Sequence, residues 1–127
     1  MQQLVSGLNE SAAKIHKNNV EKGFWDKERN VGELLMLVVS ELVEAMEAHR
    51  KGRFANVTAF EARKESDEFH FVSDFQELIK DTFEEEIADS IIRLLDLSAG
   101  IGIDIEKHIN AKVQYNQGRP RLHGKRY

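Results

Sequence analysis

Two apolar runs, LLMLVVSELVEAM and IADSIIRLLDL, carry carboxylates one helical turn apart: Glu41 and Glu44 in the first, Asp89 with the preceding Glu86 in the second. In a helix each pair emerges on a single face. Within an apolar run, an inward-facing carboxylate requires a counter-charge or a metal to offset its desolvation. Two long helices that set such pairs opposite each other would form a hard-cation site. Magnesium suits it best, with manganese as a substitute, because it takes carboxylate and water oxygens and is shared with substrate phosphates. The plainer alternative is a pair of amphipathic helices whose acids face water. Redox di-iron chemistry is disfavoured, since none of the five histidines has a glutamate three residues before it.

The remaining helices follow from periodicity and caps. A first helix is expected from Gln3 to about Asn19, with Leu4, Leu8, Ala12 and Ile15 on one buried stripe. Asn30 and Glu33 form the signature of a capping box that opens a second helix running to Lys51 before Gly52. Residues 53–72 have no convincing period and read as a long connection with room for a short helix, of a length usually reserved for covering or building a site. Ser73 with Gln76 suggests another cap, followed by a third long helix from Asp74 to about Ser98. Asp104 caps a fourth, Ile105 to Gln117, which Gly118 and Pro120 prevent from continuing. No strand pattern and no repeat is present. The expected fold is all-α, a four-helix-type bundle with a long connection between its second and third main helices.

At 127 residues the chain is expected to be one domain with a modest core that a second subunit helps to complete. There is no cysteine, so disulfides and thiolate metal sites are excluded. The opening MQQLVSGLNESAAKIHK lacks the basic-then-apolar pattern of a signal peptide, and LLMLVV is too short to span a bilayer. The expectation is a cytoplasmic protein with no membrane partner. Charge is unevenly placed: residues 61–89 hold eleven acids against Arg63, Lys64 and Lys80, whereas residues 107–127 hold six basic residues and no acid. A metal and a polyanion could both be served by such a chain. A net charge of −4 and a short basic tail argue against nucleic acid as the partner.

Lys112, Asn116 and Arg119 fall on one side of the last helix, with Tyr115 beside them. The cations can neutralise phosphates, Asn116 offers an amide, and Tyr115 or Trp25 offers a surface for a base or sugar. The helix dipole alone also favours cations in this last turn. Trp25, in the link KGFWDKER, is otherwise a core residue that pins the link to the body.

Three segments in this order, GFWDKERNVGELLMLVVSELVEAMEAHRKG, EEIADSIIRLLDLSAGIGID and KVQYNQGRPRLHGKRY, resemble the MazG-like family of the all-alpha nucleoside triphosphate pyrophosphohydrolases. The resemblance covers most of the chain from about residue 20 and implies a single MazG-like domain over residues 1–127. It implies magnesium-dependent hydrolysis of a ribo- or deoxyribonucleoside triphosphate to the monophosphate and pyrophosphate. The family's ExxE and ExxD motifs match Glu41, Glu44, Glu86 and Asp89, which become the metal ligands. Its polar C-terminal residues match Lys112, Tyr115, Asn116, Arg119 and Lys125, implied to contact substrate, and its members assemble as homodimers or homotetramers. This chain departs from the compact members in the 41 residues between Glu44 and Glu86. Competing readings are a relative acting on dUTP, dCTP or phosphoribosyl-ATP, and a non-catalytic helical partner-binding protein whose acids are merely surface.

Overall fold

The computed structural model describes residues 3–126, and among these every regular element is helical. Six α-helices follow one another: α1 (Leu8–Glu21), α2 (Val31–Arg50), α3 (Val57–Lys64), α4 (Phe71–Leu78), α5 (Phe83–Gly100) and α6 (Ile105–Gln117), then a short 3-10 turn at Arg121–Gly124. The chain forms two compact units, one of residues through Glu28 together with those from Leu95, the other spanning Arg29–Leu94. Helix α5 is divided between them.

In the first unit, α1 starts later than periodicity predicts. Gly7 adopts φ 77°, and the buried Asn110 side chain accepts the amides of Leu4 and Val5 at 3.0 and 2.8 Å, which holds the preceding residues out of a helix. Leu4, expected on the buried stripe, is consequently exposed, whereas Ala12 is buried as predicted. Asp104 caps α6 as its sequence signals, accepting from the Lys107 amide, and its other link is the Asn9 side-chain amide at 2.7 Å. Asp96 of α5 gathers three side chains: His16 Nδ1 at 2.8 Å, Asn19 Nδ2 at 3.0 Å and the Trp25 indole N–H at 3.0 Å.

Trp25 lies so close to α5 that glycine is required opposite it. A Cβ on Gly100 would stand 2.6 Å from Trp25 Cη2, inside any real carbon contact. Gly100→Ala should therefore push the indole away from Asp96 and cost about 1–3 kcal/mol, despite the higher helix propensity of alanine. Chemical denaturation together with Trp25 fluorescence, the only tryptophan signal in the chain, checks this.

In the second unit, Asn30 caps α2, its side chain accepting the Glu33 amide at 3.2 Å, as the sequence predicts. The helix stops in a Schellman motif: Gly52 takes φ 68°, its amide bonds to His49 O, and the Arg53 amide reaches Ala48 O at 2.9 Å. Residues 53–72 contain α3, capped by Asn56. Phe60 of α3 is buried among Phe69, Phe71 and Phe75 at centroid distances of 5.8, 6.0 and 6.4 Å. Arg63 joins α3 to α4 through Asp74 at 2.9 Å and Glu77 at 2.6 Å.

The single helix expected over Asp74 to Ser98 is two helices. The break falls between Leu78 and Phe83, where Asp81 has φ 62° and Thr82 Oγ1 accepts the Glu85 amide at 3.3 Å while the Glu85 carboxylate accepts the Asp81 amide. Thr82 and Glu85 thus have the spacing of a capping box. The cap of α4 also differs from expectation: it is His70, whose ring accepts the Ser73 amide while Asp74 accepts the His70 amide at 2.9 Å. Ser73 is already inside the helix. Apolar patterning overstated the packed face as well. Leu42 is 47% exposed and Ile87 36%, although both lie in the apolar runs that carry or adjoin the carboxylates.

Candidate metal centre

Glu41 and Glu44 share a face of α2, and Glu86 stands near the start of α5. These three bring one carboxylate oxygen each to within 4.8 Å of one another. Glu41 and Glu86 are buried, and Glu44 is exposed. The fold thereby assembles three of the four acids singled out by their spacing in the sequence. The fourth, Asp89, is half-buried one turn further along α5, outside this compact group, yet close enough for the Glu41 charge to act on it.

Crowding acids in a shielded place forces them to share protons. Burial first, then the hydrogen bonds and charges of Glu41 and Glu44, push Glu86 up to about 8 from an ordinary 4.5. Burial pushes Glu41 upward too, but hydrogen bonds from Glu86 and Arg93, aided by the Arg93 charge, outweigh it and leave Glu41 a stronger acid than usual. Arg93 Nε donates to Glu41 Oε1 at 2.9 Å. At neutral pH the metal-free trio therefore holds a proton on Glu86 beside an ionised Glu41. Asp89 is raised by burial and by the Glu41 charge.

One atom of the trio has nothing to bind. Glu86 Oε2 is buried and lacks a hydrogen-bond partner among the described residues. A buried carboxylate oxygen left in this state is costly, and a divalent cation would satisfy it. Carboxylate oxygens without sulfur or imidazole are the donors preferred by magnesium or manganese. A second acidic group, Asp81, Glu85 and Glu86, meets the same distance criterion and shares Glu86 with the first.

Around these acids is a cavity of about 220 Å³ lined by Glu44, Glu47, Arg53, Asp81 and Glu86. Among the neighbouring acids, Glu47 lies on its wall and pairs with Lys51 at 3.3 Å. Glu84 instead accepts the Ala55 amide at 3.0 Å, fastening the loop after α2 to the head of α5. Glu85 caps Asp81. Asp81, Arg53 and Arg93 were missed by sequence reasoning. The Thr82/Glu85 cap could have flagged the turn holding Asp81, but no spacing rule marks the two arginines.

The polar residues of the first unit form their own group. Lys112 Nζ and Arg119 Cζ lie 5.0 and 5.4 Å from the centre of the exposed Tyr115 ring. Tyr115 and Arg119 line an open groove of about 790 Å³ together with His123. Asn116 is half-buried, its Oδ1 without a hydrogen-bond partner among the described residues, and Lys125 is exposed beyond the 3-10 turn. Trp25 is half-buried, with its indole N–H committed to Asp96 and its ring set edge-on to His16 at 4.8 Å. No family model, curated protein or solved structure matches the chain.

Proposed function

We propose that the protein is a magnesium-dependent nucleoside triphosphate pyrophosphohydrolase of the MazG-like kind. The observation that carries this reading is the buried, unpartnered Glu86 Oε2 beside Glu41 and Glu44, a hard-oxygen donor set in need of a cation. On this reading α1, α2, α5 and α6 correspond in chain order to the family's four main helices, and α3 with α4 fills the connection between the second and third. The cytoplasm is the matching compartment, and no helix among the described residues is long and apolar enough to cross a membrane.

Glu41, Glu44 and Glu86 hold the metal, with Asp89 as the fourth ligand from the ExxD motif. A cation held there would supply a Lewis acid for the triphosphate and a water of lowered pKa. The chain's own groups divide the remaining work. Arg93 keeps Glu41 ionised, so that one ligand is ready before the cation arrives. Glu86 gives up its proton on ligation. Glu44, exposed and with no basic partner among the described residues, would take the proton of the attacking water. The oxygen of that water forms a bond to the α-phosphorus as the bond to the bridging oxygen breaks, and pyrophosphate leaves. In the other compact unit, Lys112, Arg119 and Lys125 carry charge suited to phosphate, and Tyr115, Asn116 and Trp25 offer groups suited to a base or sugar.

A second copy of the chain completes the protein. Val31, Leu35, Val39, Leu42 and Met46 form one stripe on α2, each at least 43% exposed. Such a contiguous apolar surface is uncommon on a monomer. The wild type is expected to run as a homodimer or homotetramer in light scattering, and Leu42→Asp should shift the mass to the monomer. A wild-type monomer at micromolar concentration would remove the oligomer from the reading. The catalytic proposal itself is tested by product identification with a nucleotide panel, which also separates general triphosphates from dUTP, dCTP or phosphoribosyl-ATP.

A further inference from the structure

The cavity beside the carboxylates holds a cation that the sequence motifs do not explain. Arg53 lines it together with Glu44, Glu47, Asp81 and Glu86, yet its guanidinium forms no ion pair or hydrogen bond with any described residue. Two of these acids already have lysines of their own, Glu47 with Lys51 at 3.3 Å and Asp81 with Lys80 at 3.4 Å. An arginine that borders four carboxylates without pairing directly with any of them keeps its donors open to a ligand.

Its backbone is held at both ends. The Arg53 amide donates to Ala48 O at the close of α2, and its carbonyl accepts the Phe83 amide at the head of α5, both at 2.9 Å. The side chain thus starts from a fixed point between the two helices that carry the carboxylates. If Glu44 and Glu86 held a divalent cation, the cavity that Arg53 borders would lose much of its negative charge and suit an anion. A planar, permanently charged fork fits phosphate oxygens in a bidentate way. The volume of about 220 Å³ is generous for a diphosphate group, whereas a whole nucleotide would fill it.

We propose that Arg53 binds the β- and γ-phosphates of the substrate and so holds the pyrophosphate as it leaves. The inference rests on the pyrophosphohydrolase reading but assigns a residue lying outside its motifs. Arg53 would then set the affinity for the triphosphate end and for the pyrophosphate product, while leaving affinity for the cation alone unchanged.

The test is calorimetric titration of inorganic pyrophosphate into the full-length, magnesium-loaded protein, comparing wild type, Arg53→Gln and Arg53→Lys, with nucleotide turnover measured on the same samples. Pyrophosphate affinity should fall about tenfold to a hundredfold in Arg53→Gln, the scale of one or two charged hydrogen bonds, with partial recovery in Arg53→Lys. KM for the nucleotide should rise in parallel, and magnesium affinity measured without pyrophosphate should stay within about twofold of wild type. Pyrophosphate affinity unchanged in Arg53→Gln, or no pyrophosphate binding by the wild type, overturns the assignment. Wild type that binds pyrophosphate through Arg53 but turns over no nucleotide would sink the catalytic reading and leave Arg53 as a phosphate ligand.

Discussion

Glu86→Gln is expected to melt higher than the wild type at pH 8 without metal, and to lose both stabilisation by magnesium and turnover. The direction follows from proton binding. Glu86 titrates at about 8 in the folded chain and at an ordinary 4.5 when unfolded, so the fold holds the extra proton between these values. Its contribution is fully present below about 4.5 and is lost as pH rises through 8. Glutamine keeps the shape and one donor but never ionises. The variant should gain about 4 °C or more at pH 8, the shift expected for roughly 1 kcal/mol in a domain of this size, a smaller gain at pH 5, and nothing once the unfolded carboxyl is protonated too, below about pH 4. Added magnesium should raise the wild-type melting temperature and release close to one proton at neutral pH, both effects absent from the variant. Turnover should fall about a hundredfold or more. Scanning calorimetry across pH, with and without magnesium, reads all but the last. A variant that melts below the wild type at pH 8 would show that Glu86 is not strained, and one that keeps its response to magnesium would show that Glu86 is not a ligand.

The second large effect lies in the α3–α4 hairpin. Phe60→Ala removes the ring around which Phe69, Phe71 and Phe75 gather, the last two stacked at 6.0 Å. Truncating a buried phenylalanine typically costs about 3–5 kcal/mol, and the lower end applies because Phe71 is 59% exposed. The urea midpoint should drop accordingly with an unchanged slope. A loss under about 1 kcal/mol would mean that the hairpin is not part of the cooperative fold.

How much of this the chain declares in advance differs by element. Helix α2 was legible from end to end because Asn30 and Gly52 mark its limits with their own chemistry, and Asp104 does the same for α6. The break before α5 was not. Asp81 takes a left-handed conformation without being glycine, and the apolar pattern continues across it, so only Thr82 and Glu85 hint at a new start. The aromatic cluster also escaped notice, since two helices of eight residues are too short to establish a period.

For the site, the one-turn spacing of Glu41 and Glu44, and Glu86 in its apolar run, was enough to predict the three acids that meet. Arg53 was invisible for a different reason. It is brought to the cavity by a helix stop and a long-range backbone bond to Phe83, neither of which leaves a mark at position 53. Leu42 and Ile87 show the opposite failure: periodicity finds an apolar face but does not say whether the same chain or another copy covers it.

Pyrophosphate release from ribo- and deoxyribonucleoside triphosphates, with magnesium and with chelator, is the most direct measurement on the whole account, the nucleotide product being identified in each case. The account predicts metal-dependent formation of a nucleoside monophosphate and pyrophosphate in equal amounts, lost in Glu41→Gln and Glu86→Gln. No turnover of any nucleotide by folded, magnesium-loaded protein, or near-normal turnover in both variants, would contradict it.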